Sequence, residues 1–174
     1  NVFSWLFIFQ YFFFFSGDVM RSLVATASSY ALAQTIAILV TPYTARRLRH
    51  GIRGMLVNAL LALSAAYAIL AIGFSGALGS VPFAIVLFSV AMGLYRALYW
   101  IPYELAAKKH ARTRAMEIAI AFIPAVSGYA MTLSPSAPIL VLAGSSLLVL
   151  TAIIPVYMFK NTQEGFSWTY RQTF

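Results

Sequence analysis

The chain has 174 residues, 61% hydrophobic and 9% charged, with a mean hydropathy of +0.84. A soluble domain carries about 25% charged residues, so this composition excludes an ordinary soluble enzyme or binding module and points to an integral membrane protein. A net charge of +8 suggests nucleic acid in a soluble chain, but here no soluble domain remains to bind it; the lack of Cys excludes disulfides and thiolate metal sites.

A bilayer core takes about 20 apolar residues per helix, and six segments are predicted to meet or approach that length. The first covers residues 1–16, NVFSWLFIFQYFFFFS. It opens on Asn rather than Met, which we read as a processed start or as part of a longer chain. The run has no basic n-region and no small-residue cleavage site, so it is not read as a signal peptide. Its Phe run reads as lipid contact, with Gln10 the strongly polar exception. The second segment, 22–43, ends at Thr-Pro-Tyr. The third covers 55–75 and the fourth 80–104. The fifth, 115–134, ends in Ser-Pro-Ser-Ala-Pro, and the sixth covers 137–159. Backbone amides cannot stay unpaired in lipid, so each is expected to be helical. The alternating ten-residue segments of a β-barrel are absent from the sequence. The expected fold is therefore all-α: a six-transmembrane-helix bundle over 1–159 and a cytoplasmic tail over 160–174.

Orientation follows from the basic residues. Arg46, Arg47, Arg49 and Arg53 cluster between the second and third segments. Lys108, Lys109, Arg112 and Arg114 cluster between the fourth and fifth, and Lys160 and Arg171 lie in the tail. These stretches are two spans apart, so the positive-inside rule places all of them in the cytoplasm, with both termini inside. A multi-pass protein of the cell (inner) membrane is the expectation. The outer connections are short: residues 17–21, 76–80 and 134–138. Asp18 and Arg21, three apart, are expected to pair at the outer surface.

The stretch GFSG, residues 73–76, resembles the nucleophile signature of intramembrane rhomboid proteases. A serine nucleophile needs a base within hydrogen-bond reach. The two histidines, His50 and His110, fall in the basic cytoplasmic stretches, about 30 Å of hydrocarbon away from Ser75. The alternative is a Gly-rich turn between two antiparallel spans. The four acids, Asp18, Glu104, Glu117 and Glu164, never recur at helical spacing, so no carboxylate metal site is visible. No Gly-rich phosphate loop is present. The chain is not expected to be an enzyme, and no cofactor or metal is expected.

Inside the predicted spans two faces stand out. Arg96 lies within the fourth span, where a charge costs at least about 2.5 kcal/mol unless it finds water or a partner. Spacing of four puts Arg96, Trp100 and Glu104 on one face and Tyr95, Tyr99 and Tyr103 beside it. Pro102 removes a backbone hydrogen bond near the end of that helix. Either Arg96 lines a cavity and pairs an anionic group, or it snorkels to the interface amid an aromatic belt. In the second span Ala25, Ser29, Ala33 and Ala37 form a small-residue stripe suited to close packing. Thr26, Tyr30 and Gln34 form the neighbouring polar stripe; Gln34 is either interhelical glue or a solute contact. Glu117, three residues after Arg114, reads as helix-start structure.

Three features resemble the N-terminal half of a major facilitator superfamily transporter. TPYTARRLRHGIRGML, after the second span, is similar to the family's loop motif G-x-L-a-D-R-x-G-R-R. Arg49 falls on its Arg, Gly51 on its second Gly and Arg53 on a following basic position; Leu48 stands at the Asp. RALYWIPYELAAKKHARTRAMEIA resembles the fourth span, loop and fifth span of some bacterial members. The tail FKNTQEGFSWTYRQTF is similar to the start of the linker between the two halves. The antiporter motif of the fifth span is missing, with Gly128 its one suggestive residue.

The resemblance implies a secondary transporter that moves a small solute by alternating access, with Arg96, Tyr99, Trp100, Gln34 and Tyr30 lining the path. Arg46, Arg47, Arg49, Gly51 and Arg53 would form the cytoplasmic loop motif and latch that side. Such folds have two six-helix halves, so the expected partners besides the lipid bilayer are a second half or a homodimer partner. The alternative is a non-transporting structural subunit held by other subunits of a membrane complex.

Overall fold

The computed structural model describes residues 2–47, 52–107 and 137–158. Every regular element among them is helical: α1 (Val2–Ser16), α2 (Val19–Arg47), α3 (Ile52–Phe74), α4 (Val81–Ala107), α5 (Ala137–Thr151) and α6 (Ile153–Met158). Three stretches are long and apolar enough to cross a membrane: Val19–Arg46, Arg53–Phe74 and Val81–Trp100. At 1.5 Å per residue, the 15 residues of α1 and of α5 reach only about 22 Å, short of the roughly 30 Å core. The six-span expectation therefore stands in part. The predicted fifth span, 115–134, lies outside the described residues, as does the tail after Met158.

Local chemistry explains the helix ends. α1 stops at Gly17, whose φ of 62° suits glycine and whose N–H bonds the Phe13 carbonyl at 2.9 Å. Asp18 then starts α2, three residues earlier than predicted, because its Oδ1 accepts from the N–H groups of Met20 (2.8 Å) and Arg21 (3.4 Å). That is an N-cap. Its Oδ2 lies 3.6 Å from Arg21 Nε, so the expected pair is present on an exposed surface.

At its other end α2 runs through Pro42 to Arg47 instead of stopping at Tyr43. Proline removes one N–H, the donor for the Ile38 carbonyl. Hydroxyls brace the turn around it: Thr41 donates to the Ala37 carbonyl at 2.7 Å and Thr44 to that of Thr41 at 2.8 Å. The predicted sixth span divides at Ala152 into α5 and α6. Pro155 has no N–H to offer the Thr151 carbonyl four residues back, so the regular ladder breaks there.

The helices pack in a chain of neighbours, α1 on α2, α2 on α4, α4 on α3 and α3 on α5. The shared core comprises Phe7 and Ile8 of α1, Leu70 of α3, Ile85, Phe88 and Met92 of α4, and Leu142 of α5. The Phe-rich helix α1 thus has two ends of different character. Phe7 is buried in this core, whereas Phe13, Phe14 and Phe15 are 42%, 89% and 74% exposed; these last three fit the expectation of an outward-facing Phe run.

Close approach between α2 and α4 depends on Gly93. A Cβ there would lie 2.6 Å from the Ala33 carbonyl oxygen and 2.7 Å from Ile36 Cβ. Ala33 is fully buried and Ala37 nearly so, so the second half of the small-residue stripe makes this contact, while Ala25 and Ser29 are half-buried. Between α3 and α5 a polar clasp forms. Ser64 Oγ donates to the Ser146 carbonyl (3.1 Å), Ser146 Oγ donates to the Ser64 carbonyl (3.0 Å), and the two hydroxyls lie 2.9 Å apart.

Candidate functional site

A cleft of about 510 Å³ opens between α2 and α4, in the range of roughly 300–1,000 Å³ found for small-molecule sites. From α2 it receives Gln34, Ala37, Ile38 and Thr41, which share a helix face by their spacing. From α4 it receives Tyr95, Arg96, Tyr99 and Trp100, in two pairs one turn apart.

Arg96 bridges the two helices. Its Nη1 donates to the Tyr30 hydroxyl at 3.2 Å, and its Cζ stands 4.8 Å from the centroid of the Tyr30 ring. That combines a charge-assisted hydrogen bond with a cation–π contact. The same hydroxyl accepts from Gln34 Nε2 at 2.7 Å. The guanidinium is thus drawn sideways onto α2 rather than extended along its own helix. Gln34 makes its bond within α2, so the interhelical link runs through Tyr30. Thr26, the third member of the polar stripe, donates to the Ser22 carbonyl at 2.8 Å.

Aromatic rings frame this cluster. Tyr95 and Tyr99 stack with centroids 5.2 Å apart, and Trp100 is 61% exposed beside them. Behind Tyr30 stands Trp5 of α1, edge-on to the Tyr30 ring at 5.2 Å and to Phe88 at 5.4 Å. Sequence reasoning missed Trp5. The only signal was that it is the single Trp in a Phe-rich run, and that alone does not point to α2.

The five residues predicted to line a solute path, Arg96, Tyr99, Trp100, Gln34 and Tyr30, meet at one place. Of the basic residues whose side chains are described, Arg46 and Arg53 do not line the cleft. Arg46 is exposed at the end of α2 and Arg47 closes that helix; Arg53 is half-buried in the first turn of α3. Arg49 and Gly51 lie outside the described residues, as do His50 and His110, Glu117 and Gly128, and the side chains of Tyr103 and Glu104. Arg46 and Arg47 are therefore helical residues rather than loop residues, because α2 continues past Pro42.

The GFSG stretch is the end of α3 and the turn after it. Ser75 donates its hydroxyl proton to the Ile72 carbonyl at 2.8 Å. Gly76 and Gly79, at φ of 82° and 69°, shape the return to α4. Among the described residues no group of three or more His, Cys, Asp or Glu could hold a metal ion.

Compared with protein-family models, curated proteins and solved structures, the chain matches none.

Proposed function

We propose that this chain is one six-helix half of a secondary transporter of the major facilitator type, set in the cell (inner) membrane with both termini cytoplasmic. Paired with a second half, or with a copy of itself, it moves a small solute by alternating access. The observation that carries this reading is Arg96, a cation in an apolar helix that lines a solute-sized cleft and is tethered to Tyr30 of the facing helix.

An arginine at mid-membrane costs about 2.5–3.5 kcal/mol on insertion scales and more for an isolated helix. One hydrogen bond supplies about 1–3 kcal/mol and the ring contact about 0.5–2 kcal/mol. Together they come to about 1.5–5 kcal/mol, the same size as the insertion-scale cost. A purely structural role is served as well by an apolar residue of similar volume. The charge is worth retaining where a solute or water meets it.

The exposed face of α2 supports the need for a partner. Ile38, Leu39 and Tyr43 are 71%, 62% and 70% exposed, and among the described residues the cleft has two walls, α2 and α4. In this reading Arg46 and Arg53, at facing ends of α2 and α3, belong to the cytoplasmic latch.

The sequence contains no Cys, which permits a test that needs no known solute. Thr41→Cys places one thiol in the cleft. In proteoliposomes of uniform orientation, alternating access makes that thiol react with a membrane-impermeant maleimide applied from either face. A structural subunit would react from one face or not at all, and that result would sink the transport reading. Native mass measured beside the 19.1 kDa of the chain then separates a self-paired dimer from a chain held by other subunits.

A further inference from the structure

Resting on that transporter reading, we infer that the α2–α4 cleft takes a monovalent organic anion: one carboxylate on a planar or apolar body. The charge count comes first. Among the described side chains lining the cleft, Arg96 alone is ionised; the rest are amide, hydroxyl, aromatic or aliphatic. One guanidinium balances one negative charge, and a second would remain unpaired in an apolar setting.

The second argument is geometric. A guanidinium carries five N–H donors in a planar fork. Among the described residues Arg96 commits one of them, on Nη1, to Tyr30, and its Cζ stands 4.8 Å from the Tyr30 ring centroid. The open donors lie in the guanidinium plane, where a carboxylate docks in bidentate fashion.

The third argument is the inventory of neutral polar groups. Gln34 already directs Nε2 to Tyr30 and Thr41 directs its proton to the Ala37 carbonyl. These two α2 side chains therefore have no donor committed to the cleft for a polyhydroxylated solute. The stacked Tyr95–Tyr99 pair, Trp100 and Ile38 instead offer rings and aliphatic surface, which suit an apolar body.

The test is calorimetric titration of the purified full chain, in its native assembly in lipid nanodiscs, with five probes. These are phenylacetate, its neutral amide, phenethylamine, phenyl phosphate and acetate. Phenylacetate is expected to bind saturably, at least about tenfold tighter than each of the others. Arg96→Gln should bring its affinity down to that of the amide, and Arg96→Lys should restore part of it. Trp100→Ala, at an exposed side chain, should leave helicity and elution unchanged and move phenylacetate toward acetate.

Equal binding of acid and amide, tighter binding of phenyl phosphate, an affinity unmoved by Arg96→Gln, or no binding by any probe would each overturn the inference. The Thr41→Cys labelling keeps the two readings apart. Two-sided labelling without charge selectivity leaves the transporter and removes the anion. Selective acid binding with one-sided labelling does the reverse.

Discussion

Replacing Gly93 by Ala adds one methyl group at the tightest point between α2 and α4. The new Cβ would sit 2.6 Å from the Ala33 carbonyl oxygen and 2.7 Å from Ile36 Cβ. Carbon–oxygen contacts settle near about 3.3 Å and carbon–carbon contacts near about 3.5–4.0 Å. The helices must therefore separate by roughly 0.7 Å, and the Ala33 oxygen, being backbone, cannot swing aside. Overpacking of this kind costs about 1–3 kcal/mol. The same shift would stretch the 3.2 Å bond from Arg96 to Tyr30 beyond useful length. Gly144→Ala is the matched control, since a Cβ on Gly144 meets nothing within 4 Å. Both glycines lie inside helices, so the gain in helix propensity, about 0.5–1 kcal/mol, cancels in the comparison. Reversible unfolding in mixed micelles, followed by helical circular dichroism, should place Gly93→Ala about 1–3 kcal/mol below Gly144→Ala. If the two variants agree within about 0.5 kcal/mol, the close crossing of α2 and α4 is wrong.

Other substitutions probe separate contacts. Tyr30→Phe keeps the ring against Trp5 but removes the acceptor shared by Gln34 and Arg96; a loss of about 1–2 kcal/mol in the same unfolding assay is expected, and an unchanged midpoint would refute the tether. Ser64→Ala and Ser146→Ala should show coupling of about 0.6–1.7 kcal/mol in a double-mutant cycle, the range for hydrogen bonds between membrane helices; strict additivity would mean the clasp between α3 and α5 does not form. Asp18→Ala should cost about 1 kcal/mol through loss of the α2 cap, and Asp18→Asn should recover most of it because the amide oxygen still accepts. Failure of the Asn variant to recover would assign the effect to the ion pair with Arg21 instead.

What could be read in the chain by itself was local. The long apolar runs read at 22–43, 55–75 and 80–104 dictate helices because lipid or a dry core leaves backbone groups no other partner. The same pattern reads residues 17–21 as a connection and starts the second span at 22; the Gly17 stop and the Asp18 cap emerge only in the structure. Helical spacing alone put Tyr30 with Gln34, and Arg96 with Trp100, on common faces. It could not say that these two faces meet.

That decision belongs to packing. Arg96 and Tyr30 are 66 positions apart and Ser64 and Ser146 are 82 apart, so their pairing depends on how every intervening helix is seated. Trp5 became part of the site because α1 packs on α2 and sets its indole against Tyr30 and against Phe88 of α4. Gly93, one glycine among ten, acquired its role only when α2 came within one atom's width of it. The same holds for Pro42 and Pro155. Both lack an N–H, yet α2 continues through one and the helix breaks just before the other. Pattern and propensity act over a turn; contact between turns distant in sequence is set by the three-dimensional fit of side chains, which no single stretch of residues contains.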